Sequence, residues 1–363
     1  MNKNIKVSNI QIRGLIISAT IGVGVLSLPN TLADTLGNNG WIAIILSGLL
    51  IIPVMAVITR IFLMYPDKDI FQIGNETLGP VFFTICLLFV AAYFIVFSAF
   101  VSRILGELIK AFLLPITPLE VIVFIFILAT SYITSFEIDA IVRTGFFVYP
   151  IIIFFTLLIV FISLPNSDFS NLLPIYNVKL KNISMGIRDA YFSFAGFEMI
   201  IFALPYVDDK KKTFKSSIYA IITVTLVYLA LYVMSVSQFS IEQLKRQQFP
   251  ILQLVKQVDL PGFFIENLDG LIMAIWVIVV FATLAPAYFS AGKTISKILR
   301  VKNHKYIIWV LVPIIYKVSL IPESLVVVQK RNAMYFNILG FISVVIIPIL
   351  ILVVGTIRKK AKR

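Results

Sequence analysis

Few of the residues that usually carry chemistry occur in this chain. There is one cysteine and one histidine in 363 residues, and charged residues make up only 13%. A lone thiol, Cys86, closes no intrachain disulfide, which excludes a fold stapled by oxidation. The lone histidine, His304, has no cysteine, second histidine or carboxylate cluster around it, so no metal site is expected. Its basic neighbours predict a solvated side chain in a cytosolic loop. No P-loop is present, and GVGVLS at 22–27 fails as a dinucleotide fingerprint: Ser27 stands where a third glycine belongs, and no strand precedes it. No cofactor and no enzymatic activity are expected. Charge is about half the roughly 25% of a soluble domain, and that shortage excludes a water-soluble fold.

Apolar residues are abundant instead, at 60% of the chain with a mean hydropathy of +0.99. They fall in blocks of roughly 20 or more, the length that crosses a hydrocarbon core. Ten spans are read at 10–34, 41–64, 81–113, 119–135, 140–164, 183–207, 217–238, 271–292, 307–321 and 335–357. The ninth is short and interrupted by Pro313 and Lys317. The leader MNKNIKVSNIQIRG reads as cytosolic and not as a cleaved signal, because the apolar run behind it is too long and lacks a small-residue cleavage pattern.

The net charge of +13 raises the question of a nucleic-acid partner. Its distribution points to membrane topology instead. With the N-terminus inside, 20 of the 31 basic residues face the cytoplasm, including DDKKKTFK and the tail RKKAKR. An even span count then puts both termini inside. Membrane lipid is the expected partner, and nucleic acid is not. Between the seventh and eighth spans, 240–270 repeats apolar residues at helical spacing between prolines. It is expected as short amphipathic helices across the outer face.

Span one contains TIGVGVLSLPN, with two glycines a residue apart and a proline five positions later. In a helix interior glycine costs about 1 kcal/mol and proline about 3. Lipid cannot satisfy backbone freed from a helix, so such backbone must be buried in protein or line a cavity. Gly22 and Gly24 are therefore either close-packing contacts or a break. Span six reads DAYFSFAGFEMIIFALP, again with a glycine, an intramembrane acid and a proline. First and sixth of ten are equivalent places in two five-span halves of opposite orientation, here about 9–164 and 183–357 of a single transmembrane domain 1–363. Interrupted segments at matched positions mark a transporter-type binding site.

Together, IGVGVLSLP in span one and SFAGFE in span six resemble the amino acid–polyamine–organocation superfamily, and within it the B subunits of spore germinant receptors. The resemblance covers essentially the whole chain. It implies an all-α membrane fold of ten helices as a five-plus-five inverted repeat with helices one and six broken. It also implies the spore inner membrane, a larger membrane A subunit and a lipoprotein C subunit as partners, and a small amino acid or similar nutrient germinant as ligand.

The ligand-binding candidates follow from the breaks. A half-helix starting near Val25 would offer N–H groups to a carboxylate, and one ending near Ser193 would offer carbonyls to an ammonium. That selects Gly22, Val23, Gly24 and Val25 in span one, and Phe194, Ala195, Gly196, Phe197 and Glu198 in span six. Glu198 either caps freed N–H groups or handles ligand or protons. Because spans three and eight line the cavity in the superfamily, Tyr93, Phe97 and Thr283 join them. Tyr93 and Phe97 are otherwise packing residues, and Thr283 otherwise bonds its own helix. Span five, FFVYPIIIFFTLLIVF, lacks the lysine that proton-coupled relatives use. In span eight only Thr283 is placed like the hydroxyls of sodium-coupled ones. A ligand-sensing receptor subunit therefore fits better than an independent amino acid permease, or than a channel-like protein whose glycines only pack.

Overall fold

The computed structural model describes residues 6–174, 179–207, 209–256, 268–324, 327–328 and 333–361. It is almost wholly helical. Helix α1 (Asn9–Thr20) starts in a capping box: Ser8 Oγ accepts from the Gln11 N–H, and Gln11 Oε1 accepts from the Ser8 N–H at 2.9 Å. After Ile21–Val23 come α2 (Gly24–Leu36) and α3 (Gly40–Met64). A second capping box, Asp69 with Gln72, opens the short α4 (Ile70–Leu78). Then follow α5 (Pro80–Phe112), α6 (Leu119–Thr134), α7 (Ile138–Ser163) and α8 (Leu180–Phe194). Past a 3-10 turn lies the single turn α9 (Ile200–Ala203), and then α10 (Lys210–Arg246), α11 (Pro250–Lys256), α12 (Leu268–Ile298) and α13 (His304–Leu320). The chain ends with α14 (Ala333–Gly340), a π-helical stretch Phe341–Ile346 and α15 (Ile347–Ala361).

Among the described residues, six helical stretches are long and apolar enough to cross a membrane: Gly24–Met64, Pro80–Phe112, Ile138–Asn166, Lys210–Arg246, Ile272–Ile298 and Met334–Ala361. The chain is therefore an integral membrane protein. The other expected spans correspond to shorter pieces: α1 with α2, which opens the Gly24–Met64 stretch, then α6, α8 with its continuation through Tyr206, and α13.

Small residues set the closest approaches between helices, as membranes favour. A Cβ on Gly14 of α1 would lie 2.7 Å from the Phe146 Cα of α7, and one on Gly145 would lie 3.1 Å from the Leu15 Cα. The N-terminal strap is tied to the turn after α9 and to α10. The Val7 N–H donates to the Tyr206 carbonyl at 3.1 Å, and the Ser216 hydroxyl donates to the Asn9 carbonyl at 2.7 Å.

One expectation needs correction, at His304. Span seven is expected to end at 238, and α10 is kinked there: Ser240 has non-helical φ 56° and ψ 161°, and a short separate helical segment follows to Arg246. Leu244 and, on α11, Ile251, Leu254 and Val255 are buried, so this part of 240–270 packs on the protein; 257–267, with Val258 and Pro261, lies outside the described residues. His304 is not solvated. It is 3% exposed, its Nε2 lies 3.1 Å from the Phe136 carbonyl, and its ring packs edge-on against Phe289. The fold of α13 back onto α12 removes it from water despite its basic neighbours.

Candidate functional site

Thr20 is the last residue of α1, and α2 begins at Gly24 without a side-chain cap. The intervening Ile21–Val23 is bent backbone. The carbonyls of the α1 end are therefore short of helical donors, and side chains from other helices supply them. Thr283 of α12 donates its hydroxyl to Ser18 O at 2.8 Å, with Ile21 O at 3.3 Å and its own-helix Val279 O at 3.4 Å. So Thr283 chiefly ties α12 to the end of α1. A Cβ on Gly22 would strike the Thr283 side chain, its Cγ2 at 2.8 Å.

The second interruption follows α8. Gly196 has φ 123° and ψ −27°, a conformation that L side chains rarely adopt, and a Cβ there would run into the Ala19 carbonyl. Only glycine satisfies both constraints. A 3-10 turn, Phe197–Met199, then leads into α9. Glu198 is 1% exposed; its Oε2 accepts from the Gly196 N–H at 2.9 Å and its Oε1 accepts from the Tyr93 hydroxyl at 2.5 Å. Both carboxylate oxygens thus have a donor, which is what makes a carboxylate tolerable at this depth.

The two interruptions touch. A Cβ on Gly24 would lie 2.7 Å from Ser193 Cα, and the Ser193 hydroxyl donates to Gly24 O at 3.0 Å. Tyr228 of α10 joins the carbonyl ends: its hydroxyl lies 2.9 Å from Thr20 O and 2.5 Å from Ser193 O. A phenol carries one proton, so it donates to one of these carbonyls at a time. Carbonyl poles from α1 and α8 therefore converge on a single donor.

Of the sequence candidates, Gly22, Gly24, Gly196, Glu198 and Thr283 are drawn into this cluster, with Tyr93 bonded to its edge. Val23, Val25, Phe194, Ala195 and Phe197 are buried around it. The Phe194 ring packs against Tyr228 at 4.9 Å between centroids. The Phe97 ring packs against Tyr93 and Phe336. Sequence reasoning missed Tyr228, the bridging role of the Ser193 hydroxyl, and Tyr191. Tyr93 and Tyr191 both face Gly340, where a Cβ would lie 3.0 Å and 3.3 Å from their rings. The hydroxyls of Thr20 and Tyr191 are buried with no hydrogen-bond partner among the described residues.

Beside Glu198 lies a cavity of about 40 Å³, walled by Phe71, Phe94 and Phe202 with Thr294 and Ser343. It has room for a little water and not for an amino acid. Among the described residues no group of three or more His, Cys, Asp or Glu side chains is placed to hold a metal.

Comparison with known proteins agrees with this architecture. Among solved structures, the nucleobase-cation-symport-1 transporter MHP1 superposes with a TM-score of 0.69 at 12% identity, covering 96% of this chain and 78% of that one. MhsT in complex with L-phenylalanine gives a TM-score of 0.65 at 14% identity, covering 97% and 99%. At these identities the likeness concerns the fold, that of a transporter. In sequence, spore germination protein GerLB of Bacillus cereus is 27% identical over 352 residues, 96% of this chain and 94% of that protein. The model of the family described as spore germination protein matches residues 6–327. The chain belongs to the spore germination protein family and shares the fold of these solved transporters.

Proposed function

We propose that the chain is the ligand-binding membrane subunit of a germinant receptor, which senses a small amino acid or similar nutrient between two broken helices and triggers germination. On this reading α1–α2 and α8–α9 are the interrupted first and sixth of ten spans in a five-plus-five inverted repeat. Both termini face the cytoplasm, and the protein sits in the spore inner membrane beside an A subunit and a lipoprotein C subunit. It catalyses no reaction.

One observation carries the proposal: the carbonyls of Thr20 and Ser193, at the ends of α1 and α8, share the Tyr228 hydroxyl as donor. An ammonium has three donors and would satisfy both carbonyls at once. The uncapped start of α2 is an N–H pole for the ligand's carboxylate a few residues away. With the breaks in contact, the site is closed, and ligand entry requires the half-helices to part. That movement is the signal a receptor can pass to its partners.

The solved neighbours favour a second reading, an independent amino acid permease, since both are transporters and MhsT holds L-phenylalanine. The two readings part in one experiment. Purified chain reconstituted in vesicles is offered labelled amino acids under proton and sodium gradients. The receptor reading expects saturable binding detectable by thermal shift with no accumulation. Concentration of label inside the vesicles would favour the permease, and no binding of any amino acid would remove both.

A further inference from the structure

A second site lies away from the breaks, at the ends of α3 and α10 that face the cytoplasm in the orientation proposed above. Ala56, Arg60, Leu63 and Met64 fall on one face of α3, spaced at the helical repeat. Together with Lys211 and Phe214 of α10 they line an open groove of about 470 Å³. Arg60 and Lys211 are exposed, and neither makes an ion pair among the described residues. The nearby acid Asp209 is already engaged. Its carboxylate caps the N–H groups of Lys211 and Lys212 and lies 3.5 Å from the Lys212 ammonium.

The order of these residues along the bilayer normal matters. Arg60 lies one turn before the end of α3 and Lys211 in the first turn of α10, at the depth of lipid headgroups. Ala56 is roughly 12 Å deeper than the end of α3, at 1.5 Å per residue. Ala56 on α3 and Phe214 on α10 thus lie deeper than the two cations, with Thr59 between. A free phosphate would use only the cations, whereas a phospholipid matches both levels. Basic pockets between transmembrane helices on this side are suited to anionic headgroups.

We propose that this groove binds one anionic phospholipid, with its phosphodiester on Arg60 and Lys211, its upper acyl chains against Ala56 and Phe214, and its headgroup beside Leu63 and Met64. The inference rests on the membrane orientation of the proposed function and not on its nutrient ligand. Because α10 carries Tyr228, a lipid held here grips the helix that joins the two breaks.

The test is native mass spectrometry of the full chain, released from detergent micelles doped with phosphatidylglycerol or with phosphatidylcholine of the same acyl chains. Preferential retention of one phosphatidylglycerol is expected. The R60Q/K211Q double variant should weaken it about thirtyfold, as two surface cations facing anionic lipid imply. K302Q/K305Q removes equal charge from the exposed start of α13 and the loop before it, and should leave retention unchanged. Phe214→Ala should shorten lipid residence without changing charge. Equal retention of the two lipids overturns the proposal, as does an equal loss in K302Q/K305Q, which would mean diffuse attraction. Displacement of the lipid by millimolar inorganic phosphate would mean a free-anion site and overturns it too. Both substituted side chains are exposed, and an unchanged thermal midpoint checks that the variants fold. A chain that binds no amino acid yet retains phosphatidylglycerol selectively would sink the nutrient reading and leave this one standing.

Discussion

The Tyr93 phenol donates to Glu198 Oε1 across 2.5 Å, and the two side chains are 0% and 1% exposed. The bond crosses from α5 to the turn after α8, so it ties the third expected span to the sixth. Tyr93→Phe removes the donor and leaves a buried carboxylate oxygen unpaired, which costs about 1–3 kcal/mol. Glu198→Gln behaves differently. An amide still accepts from the Gly196 N–H, and its NH₂ can donate to a Tyr93 hydroxyl turned to accept. We expect Glu198→Gln to keep its thermal midpoint close to wild type while losing the ligand response, because the charge is gone and the scaffold is not. A Glu198→Gln protein that responds normally would reduce the carboxylate to a cap.

Gly24 and Gly196 are intolerant for different reasons. At Gly24 a Cβ meets the Ser193 backbone, which cannot rotate aside, so Gly24→Val must push α2 away from α8. Gly196→Ala meets a carbonyl and also forces an alanine to φ 123°, a conformation whose strain is about 1–3 kcal/mol on its own. Both variants should lose ligand binding by thermal shift at normal membrane expression. Gly270→Ala, where a Cβ meets nothing within 4 Å, is the tolerant control. Wild-type binding by Gly24→Val would remove the breaks from the ligand site.

The helix ends at Thr20 and Phe194 lie where the sequence places glycines beside apolar runs, because glycine, proline and an acid are all penalised inside a membrane helix. Helix extents are readable for the same reason that hydropathy works. Tyr228 gives no such signal. An aromatic residue in an apolar span is ordinary, and its role arises where α10 crosses the ends of α1 and α8, at sequence separations of 208 and 35 residues. His304 misleads for a related reason. Its neighbours are basic, and only the packing of α13 on Phe289 and Phe136 buries it.

That burial makes His304 a pH reporter. Burial first, and then the nearby Lys293 ammonium, hold its pKa below the ordinary 6.5; Glu137 and the carbonyls of Phe136 and Thr134 pull the other way without prevailing. Below 6.5 the unfolded chain therefore binds a proton that the folded chain refuses. Linkage then makes folding stability fall as pH drops through that value, until the folded imidazole is itself protonated. Above it, both states are neutral and the contribution is flat. The thermal midpoint in detergent should decline on acidification, and His304→Gln should flatten that part of the curve. An unchanged slope in His304→Gln would assign it to other groups.

Tyr228→Phe tests the central contact most directly, since it deletes one oxygen and keeps the ring against Phe194. Thr20 O and Ser193 O then lose their shared donor, a loss of about 1–3 kcal/mol borne by the closed form. A ligand that binds an opened form pays for opening, and its apparent affinity is reduced by the fraction of protein that is open. Destabilising the closed form therefore lowers the thermal midpoint and raises apparent affinity together. Tyr232→Phe is the matched comparison. Its hydroxyl lies 2.5 Å from Gly37 O and accepts from the Gly40 N–H at 3.1 Å, one turn further along α10 and clear of both breaks. It should lower the midpoint with no change in affinity. Titration of both variants with a binding amino acid, read by thermal shift and calorimetry, separates the outcomes. If Tyr228→Phe loses stability without gaining affinity, as Tyr232→Phe does, the Tyr228 hydroxyl is a structural tie and not a stand-in for the ligand's ammonium.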